Sequence, residues 1–146
     1  MNTLKKHYEI KAFDFDLAGA MSSDIKRTLK QLKFEFDFIK RVSVACYEAE
    51  INIVIHSHGG YGDFSIVDKA VYLQFIDCGP GIQDINLAMT PGYTTANEES
   101  RLNGFGAGMG LTNIKNSSDE MSLISDVNGT VLKLKFYITE DSYDAH

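Results

Sequence analysis

Cysteine is scarce in this sequence: Cys46 and Cys78 are the two present, and each lies inside an apolar run. They form no CxxC pair, so neither a zinc site nor a disulfide framework has anything to rest on. The plain reading is two small buried hydrophobes in a reducing compartment. No apolar run approaches the length needed to cross a bilayer. Met1-Asn-Thr-Leu-Lys-Lys6 is not followed by a signal-peptide core, so the expected location is cytoplasmic. Positive charge is also short. The formal net charge of −6 argues against nucleic acid or an anionic membrane surface as the main partner, since both reward a basic face. No internal repeat and no linker divides the 146 residues. With 44% hydrophobic and 23% charged residues, the chain reads as one ordinary globular domain, 1–146, with its core at about 8–138.

The elements follow from periodicity. Alternation over Tyr8–Asp16 predicts a strand, and Ala18-Gly19-Ala20 breaks it. Ser22 or Ser23 then caps a helix to about Phe36, with Ile25, Leu29 and Leu32 at helical spacing. A second helix spans about Phe38–Ser57 and stops at Gly59-Gly60. Asp63–Val67 and Ala70–Ile76 read as a hairpin turning at Asp68-Lys69. A short helix at Ile85–Met89 precedes a long polar, glycine-bearing segment over Pro91–Gly108, of the kind usually kept for function. A helix over about Met109–Ser117 and strands at Met121–Asp126 and Thr130–Ile138 complete the pattern. The tail Thr139–His146 reads as polar and frayed. The order β-α-α-β-β-loop-α-β-β suits an α+β sandwich, a mixed and mainly antiparallel sheet with helices on one face.

Four places carry chemistry. On the second helix, Glu48, Asn52 and His56 fall at about 0°, 40° and 80° around the axis, a single polar stripe. Val44, Ile51 and Ile55 flank it on one side; Val42, Ala49 and Ile53 flank it on the other. Ser43, Glu50 and Ser57 lie opposite, near about 200°, which makes Glu50 a solvated surface charge. Inward carboxylates need a partner or a task, and on this helix alone an internal hydrogen-bond network accounts for Glu48 as well as a site does. The second place is Asp77-Cys78-Gly79-Pro80-Gly81, at the end of the apolar strand Val71–Ile76. By itself it is a turn; beside a ligand, the carboxylate could accept from an exocyclic amine while the glycines admit a flat ring.

The third place is Gly104-Phe-Gly-Ala-Gly-Met-Gly110-Leu111, alternate glycines running into a helix and suited to cradling phosphates. The Rossmann spacing GxGxxG fails in every register, and no Gly-Lys dipeptide exists to make a Walker loop. The fourth, Asn128-Gly129-Thr130, is alone a hairpin turn.

Taken together and in this order, Glu48-xxx-Asn52, Asp77-x-Gly79-x-Gly81, Gly104-x-Gly106-x-Gly108-x-Gly110 and Gly129-Thr130 resemble the boxes of the GHKL ATPase superfamily. Within it the chain is similar to the bacterial anti-sigma factors and serine-protein kinases of the RsbW, SpoIIAB and RsbT types. Tyr47–His56 resembles their helix; Asp77–Ile82, Gly92-Tyr-Thr-Thr95 and Gly104–Leu111 resemble the RsbT type most. The resemblance covers about Tyr8–Ile138.

It implies the two-layer Bergerat ATP-binding fold, with ATP and Mg²⁺ as cofactors. Asn52 is then the Mg²⁺ residue, Asp77 receives the adenine amino group, and Thr130 assists. Gly79, Gly81 and Ile82 shape the adenine slot. Thr94 and Thr95 open a lid in which Gly104, Gly106, Gly108, Met109, Gly110 and Leu111 wrap the phosphates. Glu48 is implied as general base. His56 matches the branch pattern, as pocket lining or as a core histidine; His58 lacks a third ligand for any metal. No motif assigns Arg101 or Lys115. The implied function is an ATP/Mg²⁺-dependent serine-protein kinase and anti-sigma switch, acting on a STAS-domain anti-anti-sigma partner. The alternative is a non-catalytic ATP-binding module that sequesters a sigma factor or another partner. The oligomeric state stays open, a homodimer included.

Overall fold

The computed structural model describes residues 3–79, 110–126 and 128–144. In chain order the described elements are β1 (Leu4–Ile10), α1 (Ala20–Gln31), α2 (Phe36–His56), β2 (Gly60–Val67) and β3 (Ala70–Cys78). Then come α3 (Gly110–Ser117), β4 (Glu120–Asp126), β5 (Gly129–Tyr137) and a 3₁₀ turn at Glu140–Ser142. The strands form one sheet in the order β1-β2-β3-β5-β4, with every neighbouring pair antiparallel.

Alternation decides which face of the sheet is covered. Val71, Leu73 and Phe75 of β3 and Leu132, Leu134 and Phe136 of β5 point to one side and are buried. They meet Met21, Ile25 and Leu29 of α1, and Val42, Ala45, Cys46 and Ala49 of α2, in a single core. Tyr72 and Tyr137 stand exposed on the opposite face, with the Lys135 ammonium 5.5 and 5.3 Å from their rings. The arrangement is the α+β sandwich that the element order predicts.

Several segments differ from the sequence reading: α1 has Gly19, not Ser22 or Ser23, at its N-cap and ends at Gln31, and β2 begins at Gly60 rather than Asp63. The first strand runs from Leu4 to Ile10 and pairs with β2 throughout, whereas Lys11–Asp16 leaves the sheet in a turn with Phe13 at φ 57°. The tail is docked rather than frayed. Glu35 donates its N–H to the Ser142 carbonyl (2.8 Å) and Asp144 donates to Lys33 (2.7 Å). Tyr143 stacks on Phe34 at 4.7 Å, and Phe34 stacks on Phe38 at 4.9 Å. Polar composition concealed one aromatic anchor and a capping box at Thr139 and Ser142.

α2 matters most to the site. Its first turn is capped by Glu35, whose carboxylate accepts from the amides of Asp37 and Phe38. It then runs 21 residues between α1 and α3, buried on both flanks. The polar side inferred from its helical wheel is therefore not a solvent face. Glu50 is 3% exposed, Ser57 is buried, and Ser43 is half-buried. The two serines return their hydroxyls to the backbone, Ser43 to the Ile39 carbonyl and Ser57 to the Ile53 carbonyl, both at 2.7 Å. Glu50 uses its carboxylate to bind the start of α1, as described below.

Candidate functional site

Glu48, Asn52 and His56 lie one helical turn apart on α2, all half-buried. α3 begins against Glu48 and Asn52. A Cβ added to Gly110 would lie 3.2 Å from Asn52 Oδ1, 3.3 Å from its Nδ2 and 3.4 Å from Glu48 Oε2. The bare backbone at the start of α3 thus comes close to both side chains, and a Cβ there would require the Asn52 amide to give by a few tenths of an ångström. Asn113, one turn further along α3, donates Nδ2–H to Glu48 Oε1 at 3.5 Å. Leu111 and Ile114 anchor α3 in the core. Asn113 escaped the sequence reading because it belongs to no glycine pattern; its spacing of three residues from Gly110 is the signal that was available.

A second group forms where β3 and β5 end. Asp77 and Thr130 are register partners, and Thr130 donates its backbone N–H to Asp77 Oδ1 at 3.0 Å. Ser125 of β4 and Thr130 share a hydroxyl hydrogen bond of 2.8 Å. The strand end is clamped from both sides: Cys78 donates to the Gly59 carbonyl (3.0 Å), His58 to the Cys78 carbonyl (3.1 Å) and Gly79 to the Asn128 carbonyl (2.7 Å). Burial raises the Asp77 carboxyl above the ordinary carboxylate range, and the Thr130 N–H acts against that shift.

Burial lowers the His56 pKa below its ordinary 6.5, whereas the exposed His7 is raised by hydrogen bonds to Asp63 and then Glu9. The two therefore oppose each other in acid. His56 contributes stability that is complete above about 6.5 and is lost as pH falls towards its folded value. His7 contributes stability that is complete below about 6.5 and is lost as pH rises through its folded value. Melting temperatures measured at about pH 7.5 and 5.5 should show the two contributions separately. His56→Gln is expected to remove the acid loss, and His7→Ala to deepen it.

Beside Glu48, an open cleft of about 300 Å³ lies between α1 and α2. Ser22, Ser23 and Lys26 form one wall, and Ser43, Val44, Tyr47 and Glu48 form the other. The structure thus brings Glu48, Asn52, Gly110 and Leu111 together, and Asp77, Gly79 and Thr130 together. Gly81, Ile82, Thr94, Thr95, Gly104, Gly106, Gly108, Met109 and Arg101 lie outside the described residues. His58 and Lys115 are exposed. Among the described residues no three His, Cys, Asp or Glu side chains gather to hold a metal. No described helix is long and apolar enough to cross a membrane.

A mainly antiparallel sheet under helices, a polar stripe on α2 meeting a glycine at a helix start, and a carboxylate at the end of a central strand are arranged as the resemblance to the GHKL proteins implies. The chain is 35% identical over 117 residues to the anti-sigma F factor of Geobacillus sp. (strain WCH70), a match covering 75% of this chain and 77% of that protein. It is 33% identical over 114 residues to the anti-sigma F factor of Caldanaerobacter subterraneus (74% and 76%). The Halalkalibacterium halodurans anti-sigma F factor is 32% identical over 119 residues (77% and 78%). No family profile matches the chain. Among solved structures, the RsbU and RsbW domains of a Mycobacterium tuberculosis protein superpose with a TM-score of 0.63 at 14% identity. That match covers all of this chain and 35% of the longer two-domain one, and it shares the fold. The chain belongs to the anti-sigma F factor family, the RsbW/SpoIIAB-like branch of the GHKL proteins.

Proposed function

We propose that this protein is an anti-sigma switch of the cytoplasm that binds Mg²⁺·ATP and phosphorylates a serine on a STAS-domain anti-anti-sigma protein. The observation that carries the reading is the meeting of Glu48, Asn52 and the Gly110 backbone at one point beside an open cleft. Family membership supports the anti-sigma part, because the relatives are named anti-sigma F factors.

The residues fit the cofactor. Mg²⁺ commonly takes one or two protein oxygens and completes its shell with water and phosphate, so the single Asn52 Oδ1 is a suitable ligand. The bare Gly110 backbone leaves space that a Cβ would fill. Bound Mg²⁺·ATP supplies the transferable phosphoryl group and neutralises part of its charge. Asp77, with Oδ1 held by the Thr130 amide, would accept the adenine amino group on Oδ2, and Ser125 steadies the Thr130 hydroxyl beside it. Glu48 would take the proton of the acceptor serine as the new O–P bond forms and the bond to ADP breaks. Its donor Asn113 orients the carboxylate from Oε1 and leaves Oε2 towards Asn52 and Gly110.

Labelled ATP, the purified chain and the STAS-domain protein of the same cell test the proposal. Transfer of label to a serine is expected; binding of ATP without any transfer would leave a regulatory binding module in place of a kinase. Gly110→Ala tests the cradle separately. Gly110 opens the helix, where the propensity gain of alanine is small, so the melting temperature should change little. The added methyl presses on Asn52 and Glu48, and Mg²⁺·ATP affinity should fall about tenfold in a binding titration. A fall in stability with unchanged affinity would place the contact outside the nucleotide site.

A further inference from the structure

Glu50 is the most buried carboxylate among the described residues, and the site as described so far does not use it. It lies on α2 two residues beyond Glu48. Its Oε2 accepts the backbone N–H groups of Gly19 (3.0 Å) and Met21 (3.1 Å), and its Oε1 accepts that of Ser22 (3.2 Å). These donors begin α1, and α1 has no local means of satisfying them. Its N-cap is Gly19, at φ 92° with no side chain, and its first turn contains no acidic residue. Free amides and the positive end of the helix dipole gather at that terminus. A carboxylate from a different helix meets both, so Glu50 acts as the N-cap in place of a local residue. The fit is close, because a Cβ on Gly19 would lie 3.2 Å from the Tyr47 ring.

The terminus held in this way is also one wall of the cleft. Ser22, itself a Glu50 donor, lines the cleft together with Ser23 and Lys26, opposite Glu48. Ser22 Oγ donates to the Gly19 carbonyl at 3.0 Å, and Ser23 donates its N–H to the same carbonyl at 2.9 Å, so the wall follows Gly19. One short stretch of α2 therefore carries Glu48 on the open side and, through Glu50, fixes the facing wall. We propose that Glu50 is a positioning residue: its carboxylate sets the start of α1 so that Ser22, Ser23 and Lys26 hold the partner's serine-bearing segment in front of Glu48. This rests on the kinase reading above and adds how the acceptor is placed.

Glu50→Gln keeps the size of the side chain, removes the charge and turns one acceptor into a donor facing main-chain N–H groups. With the STAS-domain protein as substrate, KM for that protein should rise about tenfold, with kcat and ATP affinity within about twofold of the parent. Amide exchange at Gly19, Met21 and Ser22 should accelerate in the same variant. Faster exchange with an unchanged KM would overturn the proposal and leave Glu50 a purely structural cap; so would an equal loss of ATP affinity. Ser23→Trp crowds the cleft and leaves the Glu50 bonds in place, so it serves if Glu50→Gln does not fold. It should raise the same KM, and no change would overturn the proposal. Wild-type chain that transfers no phosphate sinks the kinase reading instead. Affinity for the STAS-domain protein then decides for Glu50: a loss of about tenfold in Glu50→Gln supports it, and unchanged affinity overturns it.

Discussion

Under the proposed kinase function, Glu48→Gln is expected to keep the affinity for Mg²⁺·ATP and to transfer phosphate about 10²–10⁴-fold more slowly than the parent. Glutamine fills the same volume and still offers an oxygen to Asn113 Nδ2–H, so the local geometry should survive. What disappears is the capacity to take a proton from the incoming hydroxyl. Neighbouring Asn52 provides the contrast, because its proposed task is to hold the cofactor. Asn52→Ala should therefore lose nucleotide affinity first, whereas Glu48→Gln should lose kcat with affinity intact. Single-turnover transfer with labelled ATP, run beside a binding titration, separates the two. Transfer by Glu48→Gln at the parental rate would remove Glu48 from the chemistry.

Gly129→Ala should cost about 3 kcal/mol of folding stability and abolish adenine binding with it. The methyl would have to sit 2.0 Å from the Asp77 carbonyl oxygen, with Gly79 N at 3.2 Å behind it. That position is closed by main chain on the neighbouring strand, so no rotamer change relieves it. The backbone at Gly129 also has φ 147°, which side chains rarely adopt. Relief requires β5 to part from β3 where Thr130 holds Asp77. Gly59→Ala is a suitable control: its φ is also positive, at 103°, but the nearest atom to its Cβ is 3.4 Å away. There the conformational cost stands alone, about 1–2 kcal/mol. Urea unfolding of the two variants should show that difference, and equal losses would mean that the steric argument at Gly129 is wrong.

The sequence carried the two hairpins well, because β3 and β5 alternate cleanly and short turns join β2 to β3 and β4 to β5, whereas the pairing of β3 with β5 spans about fifty residues and left no local sign. It also carried the α2 stripe, since Glu48, Asn52 and His56 need nothing more than helical spacing to lie together. It failed on Glu50, and the reason is physical. A helical wheel assumes one wet side, but α2 is covered from both flanks, and the covering element brings unsatisfied amides that attract a carboxylate. No local pattern around Glu50 records the distant start of α1. The docked tail failed for a similar reason: Tyr143 finds its partner Phe34 more than a hundred residues away. Asn113 and the cleft likewise depend on how helices lie against each other. The tertiary placement of α1 and α3 accounts for most of what spacing could not reveal.

The strand order has a consequence for how the chain is made. β4 is synthesised before β5, yet among the described residues β5 is its one neighbour in the sheet, and β5 is also the strand that completes β3. Residues 70–78 pair with 129–137, so among the described strands a growing chain holds β3 half-paired and β4 without its partner until β5 leaves the ribosome. The same late insertion brings Thr130 to Asp77. The adenine side of the proposed site thus forms only once β5 has been made, after the α2 and β3 residues that it completes.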